Sequence, residues 1–201
     1  MMKHQNCVVY KHGKNSQLFE TDFRFNGKKE GQYLQYFYDY KKIYIVANYK
    51  NGKREGQYIQ YYRDGKIEIL KNYKNDKLNG EYRSYCTGGT LSTLSNYKNG
   101  KLDGEFKEYY YGNGQLRKIG NFVDGAPEGV HRLYYNNGQL YEICNYKKGK
   151  LEGEYKSFYE NGILKVMSNY LDGMMDGLYI SYDNNGNKCY VYYYSNGVRL
   201  M

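Results

Sequence analysis

Residues 145–162 read NYKKGKLEGEYKSFYENG, and the phrase returns at 48–65 as NYKNGKREGQYIQYYRDG and at 96–110 as NYKNGKLDGEFKEYY. Glycine sets its period: Gly31, Gly56, Gly80, Gly104, Gly129, Gly153 and Gly177 follow one another at steps of 24 or 25 residues. Two positions after each anchor stand Tyr33, Tyr58, Tyr82, Phe106, His131, Tyr155 and Tyr179. Five positions after it stand Tyr36, Tyr61, Tyr85, Tyr109, Tyr134, Phe158 and Tyr182, aromatic in every copy. Self-similarity at a fixed short period marks a repeat architecture, and it outranks any local reading of the chain.

Two turn signals punctuate each copy. Mid-unit they are Asp64-Gly65, Asn113-Gly114, Asn137-Gly138, Asn161-Gly162 and Asn185-Gly186. At the unit's end they are Asn26-Gly27, Asn51-Gly52, Asn99-Gly100, Asp124-Gly125, Lys148-Gly149, Asp172-Gly173 and Asn196-Gly197. Asn, Asp and Gly tolerate positive φ, which tight hairpin turns require. The short Tyr-, Ile- and Leu-rich runs between turns have the length and make-up of strands. The sequence therefore predicts an all-β fold: an elongated single-layer antiparallel meander of about seven to eight tandem hairpins, twisted or trough-shaped. The longer steps carry one extra residue near a mid-unit turn, around Asp39-Tyr40-Lys41 and at Tyr111–Gly114. Aromatics three apart conflict with strict strand alternation, so a kink or bulge after the anchor is expected to re-phase each strand.

Composition agrees. Val, Ile, Leu and Phe make up only 39 of 201 residues and the net charge is +9, a balance that by itself points towards disorder. Thirty tyrosines supply the missing apolar area with polar tips. The only alanines are Ala47 and Ala126, so a helical bundle is excluded. The array is expected over 23–199, with 1–22 as an N-terminal cap or partial repeat and 200–201 as a tail. No run has the length of a signal peptide or membrane span, which predicts a cytoplasmic protein. Cys7, Cys86, Cys144 and Cys189 are too scattered for a metal or disulfide framework and read as free thiols. His4, His12 and His131 form no metal pattern, and no metal or cofactor is expected.

The quoted phrases resemble MORN repeats, in the variant form found in bacteria and large DNA viruses; a viral origin would place the protein in host cytoplasm. The resemblance spans about residues 23–199. The chain departs from the eukaryotic form, whose copies often carry Trp, in having none. The resemblance implies a single-layer sheet of consecutive hairpins and a scaffold or interaction role. It also brings two further family associations, with phospholipid binding and with antitoxins.

Four function classes follow. The leading one is a non-enzymatic scaffold that binds protein through the aromatic face (Tyr33, Tyr58, Tyr82, Phe106, Tyr155, Tyr179) or through a terminal strand edge. That edge is the apolar run Cys189–Tyr194, with Tyr190, Tyr192 and Tyr194, which invites a homodimer unless the tail Val198–Met201 folds back over it. The second is a peripheral binder of anionic phospholipid through Lys53, Lys77, Lys101 and Lys150, which with Lys28 sit three before their anchors. Glu30, Glu55, Asp103, Glu128, Glu152 and Asp176, one before the anchor, should accompany that row and neutralise it. The third is an antitoxin-like neutralising module. Nucleic acid is the least favoured partner, because the aromatics already have repeat positions to fill. An enzyme is not expected: the acids recur with the repeat, and no phosphate loop, nucleophile elbow or metal triad is present.

Overall fold

The computed structural model describes residues 6–12, 18–38 and 41–200. Among these residues there is no helix, and eighteen strands form an open antiparallel sheet. The chain divides into two compact units, residues 1–101 and 102–201. The first contains β1 (Asn6–His12), β2 (Leu18–Phe25), β3 (Lys28–Tyr36), β4 (Ile43–Lys50), β5 (Lys53–Tyr61), β6 (Ile67–Lys74), β7 (Lys77–Tyr85) and β8 (Leu91–Lys98). From Leu102 onwards the second holds β9 (Lys101–Tyr109), β10 (Leu116–Val123), β11 (Ala126–Tyr134), β12 (Leu140–Lys147), β13 (Lys150–Phe158) and β14 (Leu164–Leu171). It ends with β15 (Met174–Met175), β16 (Gly177–Tyr182), β17 (Lys188–Ser195) and β18 (Val198–Arg199).

Within each unit, strands adjacent in sequence pair antiparallel, which is the expected meander of hairpins. β14 pairs with both β15 and β16, so those two together occupy the place of one nine-residue strand in the other repeats. Residues 18–22, assigned from the sequence to an N-terminal cap or partial repeat, run on with 23–25 in β2, which pairs with β1. The insertion around Asp39-Tyr40 lies outside the described residues.

The turns take the backbone their residues allow. Asn51 and Gly52 both have positive φ, 52° and 82°, as a two-residue hairpin turn needs. An end-of-unit turn without glycine, Asn75-Asp76, does the same with φ of 50° and 65°. Arg54 braces it: its backbone N–H and its Nε both donate to Asp76 Oδ1, at 3.0 and 2.9 Å. The anchor glycines explain the three-residue spacing. Gly56 has a φ of 77°, and the register jumps there from Ala47↔Tyr58 to Tyr49↔Arg54. The bulge is at the anchor itself, and it re-aims the strand so that the rings two positions later reach one face. A second irregularity falls between the fourth and fifth positions after the anchor, as at Gln60/Tyr61.

One layer buries little. Among the described residues Tyr33, Ala47, Tyr73, Cys144 and Ile180 are the buried hydrophobic ones, and most strand residues keep intermediate exposure on both faces.

Candidate interaction surfaces

The rings two positions after the anchor lie in one row across the strands. Register places Tyr33 beside Ala47, Ala47 beside Tyr58, and Tyr82 beside Ser95; in the second unit Phe106 lies beside Gly120, and Tyr155 between Cys144 and Ser168. Small residues leave room for the rings at these places; elsewhere Lys71 lies opposite Tyr58 and Tyr82, and Tyr192 opposite Tyr179. Each ring meets, edge to face, the aromatic that follows the Asn of its own repeat: Tyr33–Tyr49 at 5.8 Å, Tyr58–Tyr73 at 5.9 Å and Tyr155–Tyr170 at 5.9 Å. The predicted face residues Tyr33, Tyr58, Tyr82, Phe106, Tyr155 and Tyr179 are therefore packed against partners, with Tyr33 only 8% exposed.

Polar tips are held as well. The Tyr33 hydroxyl donates to Glu20 at 2.9 Å, and the Tyr155 hydroxyl to Glu142 at 2.8 Å. Burial and the adjacent carboxylate raise both phenols, so they stay protonated. His131 replaces a ring and is 2% exposed, with Nε2 2.9 Å from the Asn121 carbonyl. Burial lowers its pKa. Among the described residues no group of three or more His, Cys, Asp or Glu side chains is placed to hold a metal ion. Cys144 is buried in the same row; burial and then Glu142 push its thiol up to about 11, which makes it a packing residue and not a nucleophile.

The end-of-unit edge adds to one expectation. The carboxylates before the anchors accompany the lysine row, and Glu152 lies 4.0 Å from Lys147, but they also accept hydrogen bonds from turn backbones. Glu30 accepts the Asn51 N–H at 2.7 Å, Glu55 that of Asn75 at 2.8 Å, Glu128 that of Lys148 at 2.7 Å and Glu152 that of Asp172 at 3.0 Å. The turn glycine is taken up as well: Gly52 N donates to Lys29 O, and Gly173 N to Leu151 O. Each end-of-unit turn from Asn51-Gly52 to Asn196-Gly197 is thus tied to the strand two before it. The physical reason is local: consecutive positive-φ residues aim their N–H groups together, forming a small anion-binding nest. Lysines meanwhile face lysines, with Lys50 opposite Lys53, Lys74 opposite Lys77 and Lys147 opposite Lys150. Lys53, Lys77, Lys101 and Lys150 are all exposed; Lys150 also pairs with Asp172 at 2.8 Å.

Sequence reasoning missed a third row, at the opposite edge. Six positions after the anchor, Tyr62, Tyr110, Tyr135 and Tyr159 donate their hydroxyls to a backbone carbonyl of the next repeat, at 2.6, 2.7, 2.8 and 2.8 Å. The turn asparagines form a second ladder there: Asn137 Nδ2 donates to Glu160 O at 3.3 Å and Asn161 Nδ2 to Asn184 O at 3.1 Å. The recurrence of Tyr at this position was the available signal.

At the C-terminal strand the tail folds back over part of the edge. β18 folds back, pairing with Tyr194 and Ser195, and Leu200 N donates to Tyr193 O at 2.8 Å. Tyr190 and Val191, beyond that cover, are 60% and 50% exposed. Tyr192 stacks on Tyr190 and on Tyr179, both at 5.9 Å.

The period, the anchor bulge and the edge ladders define a tandem-hairpin β-repeat protein. The family model for the MORN repeat variant matches residues 54–75, 102–124, 127–148 and 151–172, and the chain accordingly carries MORN repeats of the variant kind. Repeats of this family generally build non-enzymatic scaffolds, with roles in protein–protein and membrane contacts. No curated protein matches the chain as a relative. Among the described residues no helix is long and apolar enough to cross a membrane.

Proposed function

We propose that this chain is a non-enzymatic scaffold that binds a partner protein on its ring-bearing face. One observation carries the reading: the sheet is a single layer, so a face built of aromatic rings is only half-covered by its own packing. Aromatic residues with polar tips suit protein contacts, being large, stiff and amphipathic. Rings pinned by hydrogen bonds lose little entropy on binding.

A photo-crosslinking residue placed at Tyr141 on this face, and another at Ile59 on the opposite face, test it in source cells. Protein cross-links from Tyr141 that exceed those from Ile59 are expected. Equal or absent cross-links from both would sink the reading.

The exposed lysine pairs support a second reading, contact with anionic membrane. Like charges placed directly opposite are unfavourable in a hairpin, and an anionic surface would relieve them. Flotation with phosphatidylserine vesicles should then fade with salt and with Lys53→Ser and Lys77→Ser together. No flotation removes this reading.

A further inference from the structure

Positions that recur in every repeat are explained by the sheet they build. A surface position that changes from copy to copy is not, and one such position lies beside the pinned tyrosines. It is the second residue of the even-numbered strands, where the register irregularity leaves it extra: Tyr44, Glu68, Ser92, Arg117, Tyr141 and Lys165. In the first unit it is half-buried; in the second, Arg117, Tyr141 and Lys165 are exposed.

Each of the three sits against a fixed ring. The Arg117 guanidinium is 6.0 Å from the Tyr110 ring, Tyr141 meets Tyr135 at 5.0 Å, and the Lys165 ammonium is 5.4 Å from the Tyr159 ring. The fixed rings cannot swing away, because their hydroxyls are held by carbonyls of the next repeat. Between Arg117 and Tyr141 opens a cavity of about 230 Å³, whose lining includes Tyr110, Leu133 and Tyr135. Arg117 shares its charge with Glu108 at 2.6 Å. Among the described residues no carboxylate pairs with Lys165.

We propose, resting on the scaffold reading above, that this strip is a docking site for an extended acidic segment of a partner protein. Two carboxylates of that segment meet Arg117 and Lys165, and a ring between them enters the cavity beside Tyr141. Charge complementarity and spacing select the partner. β10, β12 and β14 are two strands apart from one another, so the two cations are about 19 Å apart, with Tyr141 about midway. A segment in the polyproline II conformation advances about 3.1 Å per residue and returns to the same side every third residue, which places the two acids about six residues apart and the ring about three from each, all facing the strip. A nucleic-acid strand offers phosphate far more densely than one per 19 Å, and Glu108 and Glu142 beside the strip repel a continuous polyanion.

The test uses the full chain with ¹³C-labelled tyrosine rings, titrated with the capped peptide Glu-Gly-Ser-Phe-Ser-Gly-Glu and followed by nuclear magnetic resonance. Ring signals of Tyr141 and Tyr135 should shift, and those of Tyr155 should not. Replacing both peptide acids by Gln, or making Arg117→Ser with Lys165→Ser, should weaken binding about tenfold. Tyr141→Ala should weaken it by a similar factor while the remaining ring signals keep their positions. Equal binding of the Gln peptide, indifference to these substitutions, or tighter binding of oligodeoxythymidylate at the same rings would overturn the proposal. If the peptide fails while Tyr141 still cross-links protein in cells, the strip assignment falls and the scaffold reading stands. Loss of both removes the two together.

Discussion

The two faces of the sheet share one backbone plan and differ in what they tolerate. Opposite the ring row, the first unit carries Leu34, Val46, Ile59 and Leu70 in cross-strand succession and then passes to Arg83 and Leu94. In the second unit the same position alternates cation and aliphatic through Lys107, Ile119, Arg132, Ile143, Lys156 and Met167, and ends in Ile180 and Val191. Lys107 and Lys156 each pair with a carboxylate two residues earlier, Glu105 and Glu154, both at 2.8 Å. Where the acid is replaced by Val130, Arg132 has no such pair and Val130 is 45% exposed. The ring row is more constrained: small residues stand between most rings, and the two large exceptions lie against a ring, Lys71 with its ammonium 4.4 Å from the Tyr58 ring and Tyr192 stacked on Tyr179 at 5.9 Å. The difference teaches that one face builds the sheet, while the other needs only strand-compatible stems and can change charge.

Breaking the ring row should therefore cost most. A Cβ at Gly120 would lie 2.2 Å from the His131 ring, so Gly120→Ala should destabilise the second unit by about 3 kcal/mol in urea unfolding. Adding His131→Tyr should recover most of that, since Ala47 sits between Tyr33 and Tyr58 without conflict. Removing a turn's anchor comes next. Glu152→Ala frees the Asp172 N–H, and a loss of about 1 kcal/mol is expected, partly restored by Gln.

A pH difference between the units should be smaller. Burial lowers the His131 pKa below the ordinary value, outweighing its bond to the Asn121 carbonyl. The unfolded chain then takes the proton first, so this contribution is complete above about pH 6.5 and is lost as the pH falls below it. Thermal unfolding of the second unit should drop between pH 7 and 5, and His131→Tyr should abolish that drop. Smallest of all, Ile59→Lys and Lys156→Ile should each move stability by less than about 0.5 kcal/mol, as exchanges on the permissive face.

Most of this fold is readable from Gly, Asn and Tyr spacing, because turn chemistry and ring packing are local. Asn51-Gly52 announces its own backbone, and the three-residue spacing after Gly56 announces a bulge. The Asn75-Asp76 turn was harder to read, since it lacks the glycine of the other turns and the bracing of Asp76 by Arg54 comes from the neighbouring hairpin. Glu152 looked like a partner for lysine because both lie on one strand; that it caps the turn at Asp172 depends on the next hairpin's register. The strip of Arg117, Tyr141 and Lys165 stayed hidden for a related reason. Variation has no period, and only the structure places these residues beside Tyr110, Tyr135 and Tyr159.

The division between building and binding positions is tested most directly by urea unfolding of Tyr155→Ala and Tyr141→Ala side by side. Tyr155 is locked to Tyr170 and Glu142, and its loss should cost about 3 kcal/mol; Tyr141 is exposed, and its loss should cost under about 1 kcal/mol. Equal destabilisation by the two substitutions would contradict the account.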